Sequence, residues 1–216
     1  AVFASLDISS TDKKQYSGYE STKTGFEFGT SFEQYEDVFL SPNISATYED
    51  IEVQSTASSS VKKMDGTFLN MDLGYAVIWD KRNQTFQPTD GYRTKFTQRL
   101  PIIQDSSSIL NGLDVSAYHA FSEDVIGSMK FYARSIHGVD DDVRLTNRLF
   151  LPGQKLRGFN TGQVGPKDGS DFIGGNYTTA FGLEAQLPNL VPESYRTDFS
   201  VFIDTGNVWS VDYSDS

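Results

Sequence analysis

Residues 69–80, LNMDLGYAVIWD, place Leu69, Met71, Leu73, Tyr75, Val77 and Trp79 at every second position, with Asn70, Asp72, Gly74, Ala76 and Asp80 between them. A hydrophobic period of two is the mark of a β-strand with one greasy face and one polar face. This one continues past the five or six residues usual in soluble sheets. The same pattern recurs along the chain. Val2 to Ile8 carries Val2, Ala4, Leu6 and Ile8 on one face, and a second strand carries Phe26, Phe28, Thr30 and Phe32. From Val38 to Ile51, Val38, Leu40, Pro42, Ile44, Ala46 and Tyr48 oppose Ser41, Asn43, Ser45, Thr47 and Glu49. Tyr92 to Leu100 sets Arg93, Lys95 and Arg99 against Tyr92, Thr94, Phe96 and Leu100, and three cations on one face want water or carboxylates. Ile109 to Phe121, Val125 to Ile136, Tyr177 to Leu187 and Thr197 to Val208 complete nine predicted strands.

The connections carry further information. The turns at Tyr35-Glu36-Asp37, Phe86 to Gly91 and Glu123-Asp124 read as tight, with Pro-Thr-Asp-Gly turn chemistry in the second. Ser9 to Lys23, Gln54 to Gly66, Pro101 to Ser108 and the segment after Ile136 read as longer polar loops, without a helix-forming stretch. Alternation of short and long connections is what an up-and-down meander in an outer membrane shows. The expected fold is therefore all-β, a transmembrane antiparallel up-and-down β-barrel. Nine is odd, whereas bacterial single-chain barrels close with an even number, and an open edge is costly in lipid. The expectation is one incomplete barrel domain over residues 1–216, cut at both ends.

Composition bounds the function. Of 216 residues, 18 are Lys or Arg and 29 are Asp or Glu, giving a net charge of −11 that disfavours an electrostatic nucleic-acid binder. There are no cysteines, which excludes disulfides, thiolate metal sites and cysteine nucleophiles. No apolar run is long enough for a transmembrane helix, and a mean hydropathy of −0.40 is compatible with barrel strands.

One loop stands apart. Between the seventh and eighth strands lies Leu149 to Asp171, LFLPGQKLRGFNTGQVGPKDGSD, in which Leu156-Arg157-Gly158-Phe159 sets an arginine between a bulky apolar residue and a glycine. Strand parity places Glu184 inside, with Asn176, Thr178 and Gln186, because Tyr177, Phe181, Leu183, Ala185 and Leu187 take the apolar face. It places Asp204 inside as well, because Phe199, Val201 and Ile203 face lipid. Two carboxylates from neighbouring strands then point into one lumen, and Arg157 reaches both if its loop folds inward, since a guanidinium forks. Gly158 would let the backbone approach the wall and Phe159 would wedge against it. Leu-Arg-Gly-Phe is also ordinary loop composition, and a four-residue pattern is by itself weak evidence.

The chain resembles the barrel of BamA-type outer-membrane assembly factors, in the superfamily that includes TamA and the two-partner secretion transporters. Leu156-Arg157-Gly158-Phe159 looks like the family's Val/Leu-Arg-Gly-Phe/Tyr loop motif, with Leu where Val is commoner. Ile203-Asp204-Thr205-Gly206-Asn207-Val208-Trp209 is similar to the strand motif that receives the arginine, so Gly206 joins Glu184 and Asp204 as an implied partner of the loop. Val164 to Asp168, Gly174-Gly175-Asn176, Leu183-Glu184, Asp80-Lys81-Arg82 and Phe86 to Gly91 fall in the family's order. The resemblance implies that these are the fifth to thirteenth of sixteen strands, with POTRA modules, the first strands and the last strands outside the sequence. It implies assembly and insertion of other outer-membrane proteins in a bacterial outer membrane, with no cofactor and no covalent chemistry. The implied partners are the lipid bilayer, unfolded outer-membrane clients and accessory lipoproteins.

Other readings weigh less. His119 and His137 fall on different strands without acids at metal-ligand spacing, and no Ser-His-Asp site assembles. Asp140-Asp141-Asp142 lacks the further ligands of a calcium loop, and the glycosylation sequons at Asn43 and Asn176 both fall inside predicted strands. No catalytic or metal residue is therefore expected. The alternatives are a TamA-like or two-partner secretion barrel, a passive porin, and a soluble β-sandwich.

Overall fold

The computed structural model describes residues 1–12, 14, 18–104, 107–139, 142–191 and 197–211. The strands are β1 (Val2–Asp12), β2 (Tyr19–Thr30), β3 (Phe32–Tyr35), β4 (Val38–Val53), β5 (Gly66–Asp80), β6 (Gly91–Gln104), β7 (Ser108–Ser122) and β8 (Val125–Gly138). After a long excursion come the two-residue strands β9 (Lys167–Asp168) and β10 (Asp171–Phe172), then β11 (Tyr177–Leu187) and β12 (Phe199–Trp209). One curved antiparallel sheet runs β1-β2-β4-β5-β6-β7-β8-β11-β12, with β3 continuing the line of β2 along β4. Its outer strands, β1 and β12, do not pair with each other, so the sheet is an open portion of a barrel.

Alternation decides the faces. Leu6, Ile8, Val201 and Ile203 are each at least 67 % exposed on the outer surface, where a soluble protein would bury them. Glu49, Asp72, Asn70 and Thr178, at positions of opposite parity, are buried on the inner surface. Lys23 pairs with Glu49 at 3.2 Å, and Arg93, one of the three cations on the inner face of β6, approaches Asp80 at 3.5 Å.

Two prolines mark where pairing changes. Pro42 has no N–H to give, and it sits where the β2 ladder stops at Gly29↔Asn43 and the β3 ladder resumes at Phe32↔Leu40. Pro101 lies just beyond Arg99↔Leu110, the last pair between β6 and β7, and beside a register shift against β5. Both strands survive because each proline's other flank keeps its partner.

The strands are longer than the sequence pattern indicates. Ser9 to Asp12 and Tyr19 to Lys23, expected as loop, pair in register from Ser9↔Lys23 to Asp12↔Glu20. Pro101 to Ser108 shrinks to residues 105–107, while the connection before β6 occupies residues 81–90, so strict alternation of loop lengths fails at that hairpin. Backbone pairing is indifferent to side-chain polarity and continues past the apolar band that hydropathy detects. The expected loop from Gln54 to Gly66 contains a single helical turn, α1 (Ser59–Lys62). That turn forms because Val61, Met64 and Ala57 bury against Tyr19, Ile51, Leu145 and Ile173, closing a small apolar core above the long-loop end. Asp171 Oδ2 accepts from the Ser58 N–H at 2.8 Å and ties the same loop to the excursion between β8 and β11.

Candidate functional site: an arginine strut on the inner wall

The excursion between β8 and β11 returns to the sheet at defined points. Leu149 and Gly175 exchange backbone hydrogen bonds of 2.8 and 3.0 Å, forming an isolated bridge. Single 3-10 turns cover Leu145–Asn147 and Gly153–Lys155, and Lys167↔Phe172 pairs β9 with β10. Leu151 and Leu156 are buried against Ala180 of β11 and Val208 of β12. Gly206 makes room for them: a Cβ there would lie 2.8 Å from Leu151 Cδ2 and 3.0 Å from the Thr179 carbonyl. Gly165, at φ +113°, lets the returning chain lie on Val208.

These anchors set Arg157 over the inner wall. Its Nε donates to Asp204 Oδ2 at 2.7 Å and its Nη2 to Asp204 Oδ1 at 2.9 Å, a two-pronged pairing. Nη1 reaches Glu184 Oε2 at 3.1 Å, and the Arg157 backbone N–H gives a further bond to Asp204 Oδ2 at 3.0 Å. The guanidinium carbon lies 3.5 Å from the centroid of the Phe202 ring, adding a cation–π contact. Lys130 stands 3.7 Å from the same Glu184 oxygen. The hydrogen bonds to Asp204, aided by the Glu184 charge and opposed by desolvation, raise the Arg157 pKa further above its ordinary value. It is therefore cationic throughout the pH range of folded proteins. Gly182 shapes the floor, since a Cβ there would be 2.9 Å from Asp204 Oδ1.

The structure thus brings Arg157, Glu184 and Asp204 together and sets Gly206 beside the loop through Leu151. It corrects the roles expected of two neighbours. Nothing lies within 4 Å of the position of a Gly158 Cβ, so this glycine is not a close-approach residue; its φ of +86° is what requires it. Phe159 is 62 % exposed and does not wedge against the wall. The peg is Leu156, one residue before the arginine.

Other candidates resolve simply. His119 Nδ1 is 3.3 Å from Asp90 in an exposed pair, and His137 packs edge-on against Tyr177. Asp140 and Asp141 lie outside the described residues. Among the described residues no group of three or more His, Cys, Asp or Glu could hold a metal ion. Sequence reasoning missed Leu151, Lys155, Asp114 and Gly182. Inward parity on β7 was the available signal for Asp114, whereas the loop residues follow no period. What the arrangement does is structural: a fixed cation clamps two strands from inside.

Comparison with known proteins agrees with this architecture. The chain is 26% identical over 216 residues to the outer membrane protein assembly factor BamA of Neorickettsia risticii, covering 97% of this chain and 29% of the relative. It is 28% identical over 173 residues to the sorting and assembly machinery component 50 homolog of Homo sapiens, covering 74% of this chain and 36% of that protein. The chain therefore spans about a third of the length of the curated relatives it matches. In fold it matches the crystal structure of BamA from Haemophilus ducreyi lacking POTRA domains 1-3, with a TM-score of 0.82 at 18% identity, over 95% of this chain and 45% of that one. The model of the Omp85 superfamily domain matches residues 2–216, and the chain belongs to that superfamily.

Proposed function

We propose that residues 1–216 are the central part of the barrel of an outer-membrane protein assembly factor, acting with further strands and POTRA modules supplied by the rest of its protein. The observation that carries this reading is Arg157 held by both oxygens of Asp204, by Glu184 and by its own backbone N–H. A diffusion channel can fold a loop inward too, but it has no reason to combine Arg157, Glu184 and Asp204 with the Asp204-Thr205-Gly206-Asn207-Val208-Trp209 segment; a barrel that must hold one wall in a competent shape while clients pair beside it does. The clients are unfolded outer-membrane proteins, inserted without cofactor or covalent chemistry by locally disturbing the bilayer and templating strands through edge pairing. Accessory lipoproteins complete the assembly complex. The relative from Neorickettsia covers more of the chain than the human one, which supports a bacterial outer membrane.

The test is Arg157→Ala in the whole protein at normal expression. Assembly of other barrels, read as the folded, heat-modifiable fraction in the outer membrane, should fall several-fold. Undiminished assembly overturns the proposal. Intact barrel assembly together with lost export of a soluble protein would instead mark a TamA-like or two-partner translocation barrel.

A further inference from the structure

The loop has a second cationic foot. Lys155, two residues before Arg157, reaches a different pair of strands. Its Nζ lies 3.7 Å from Asp114 Oδ1 on β7 and 5.2 Å from the centroid of the Tyr132 ring on β8. Asp114 is held for that purpose: its Oδ2 accepts from Arg134 Nη2 at 2.5 Å, while Arg134 Nη1 gives bonds to the carbonyls of Leu113 and Ala133. The Arg134 guanidinium also stacks 4.3 Å from the Tyr132 centroid, so Tyr132 has two cations on its ring and packs against the Leu151–Leu156 cluster. A cavity of about 80 Å³ lined by Lys130, Tyr132, Lys155, Arg157, Glu184 and Asp204 separates the two feet.

We infer that Lys155 is a positioning residue that fixes the loop to β7 and β8 through Asp114 and Tyr132, as Arg157 fixes it to β11 and β12. A single ion pair leaves a loop free to pivot about its pin. Two cations flanking one buried leucine in the chain, each held by a different pair of strands, remove that freedom and make four neighbouring strands move with the loop. Asp114 is suited to the part because Arg134 consumes only one of its oxygens and leaves the other facing the loop. The consequence for client assembly rests on the function proposed above; the anchoring itself does not.

The experiment places a cysteine at Val164, which packs half-buried against the Leu151–Leu156 cluster, in the whole protein in its membrane, and follows its rate of maleimide labelling. Lys155→Ala should raise the rate about threefold, the scale expected for a partly exposed ion pair, and Lys155→Arg should restore it. Asp114→Asn should also raise it, and Lys155→Ala should raise it by a smaller factor in the Asp114→Asn background than in the parent. Labelling unchanged by Lys155→Ala, or additive effects in the double variant, overturns the inference. Client assembly measured in parallel separates the two claims. Unchanged labelling in Lys155→Ala with assembly lost in Arg157→Ala removes the second foot alone, whereas raised labelling with normal assembly in Arg157→Ala removes the proposed function alone.

Discussion

At the scale of single residues, two glycines near Arg157 serve for different reasons, and substitution separates them. Gly158 sits at φ +86° in open space, so Gly158→Ala costs only the left-handed backbone penalty of about 1–2 kcal/mol. Gly206 has an ordinary backbone but no room, and Gly206→Ala forces the new methyl onto Leu151 and the Thr179 carbonyl, an overpacking cost of about 1–3 kcal/mol. Each should lower the temperature at which the barrel loses its heat-modifiable gel mobility. Truncating the obstruction distinguishes them: Leu151→Ala should partly rescue Gly206→Ala and leave the Gly158→Ala defect untouched. Equal behaviour of the two double variants would contradict these assignments. Removing the Arg157 side chain leaves Asp204 without its cation and Glu184 with Lys130 alone. That costs about 3 kcal/mol, at the lower end of the range for buried pairs because a third of the arginine side chain remains exposed.

At the scale of elements, the loop from β8 to β11 is held by apolar contacts as much as by charge. Leu156 is 5 % exposed between Ala180 and Val208, and Leu156→Ala removes a packed side chain at a cost of about 2–4 kcal/mol. Limited proteolysis of the membrane-embedded protein should then cut within residues 153–165 at least tenfold faster, with the strands intact; an unchanged rate would show that the ion pairs alone suffice. The strands were legible in the sequence because a period of two must appear wherever one face meets lipid, and Glu184 and Asp204 could be oriented by that parity alone. Strand ends were not legible, as Ser9 to Asp12 and Pro101 to Gln104 show, because the ladder outlasts the apolar band. The path of the loop was the least legible. Leu151, Leu156 and Lys155 follow no period, and Phe159, the bulkiest candidate for a wedge, points to solvent. Burial there is decided by tertiary contacts with Ala180, Val208 and Tyr132, each well removed in sequence.

At the scale of the whole molecule, the sheet has its apolar side outward and its charged side inward, the reverse of a water-soluble domain. Trp79 packs edge-on to Tyr92 at 5.2 Å near the short-turn end, and Tyr177 stacks on Trp209 at 5.9 Å near the long-loop end, as aromatic girdles at two interfaces require. Between them, Ile203 on β12 pairs with Leu183 on β11 near the middle of both strands, and it is 72 % exposed. In water, Ile203→Arg would be neutral or mildly favourable, because an exposed apolar side chain gives way to a solvated cation. In a bilayer the same change costs about 2–4 kcal/mol at the midplane, since the guanidinium must drag water or headgroups inward. An inward position three residues away supplies the control. Ser200→Arg adds the same charge to the lumenal side of the same strand, where water and Glu184 receive it. The whole protein carrying Ile203→Arg should therefore accumulate several-fold less folded barrel in the outer membrane than the parent or Ser200→Arg. Equal accumulation of the two arginine variants would contradict a lipid-facing Ile203 and with it the inside-out assignment of the sheet.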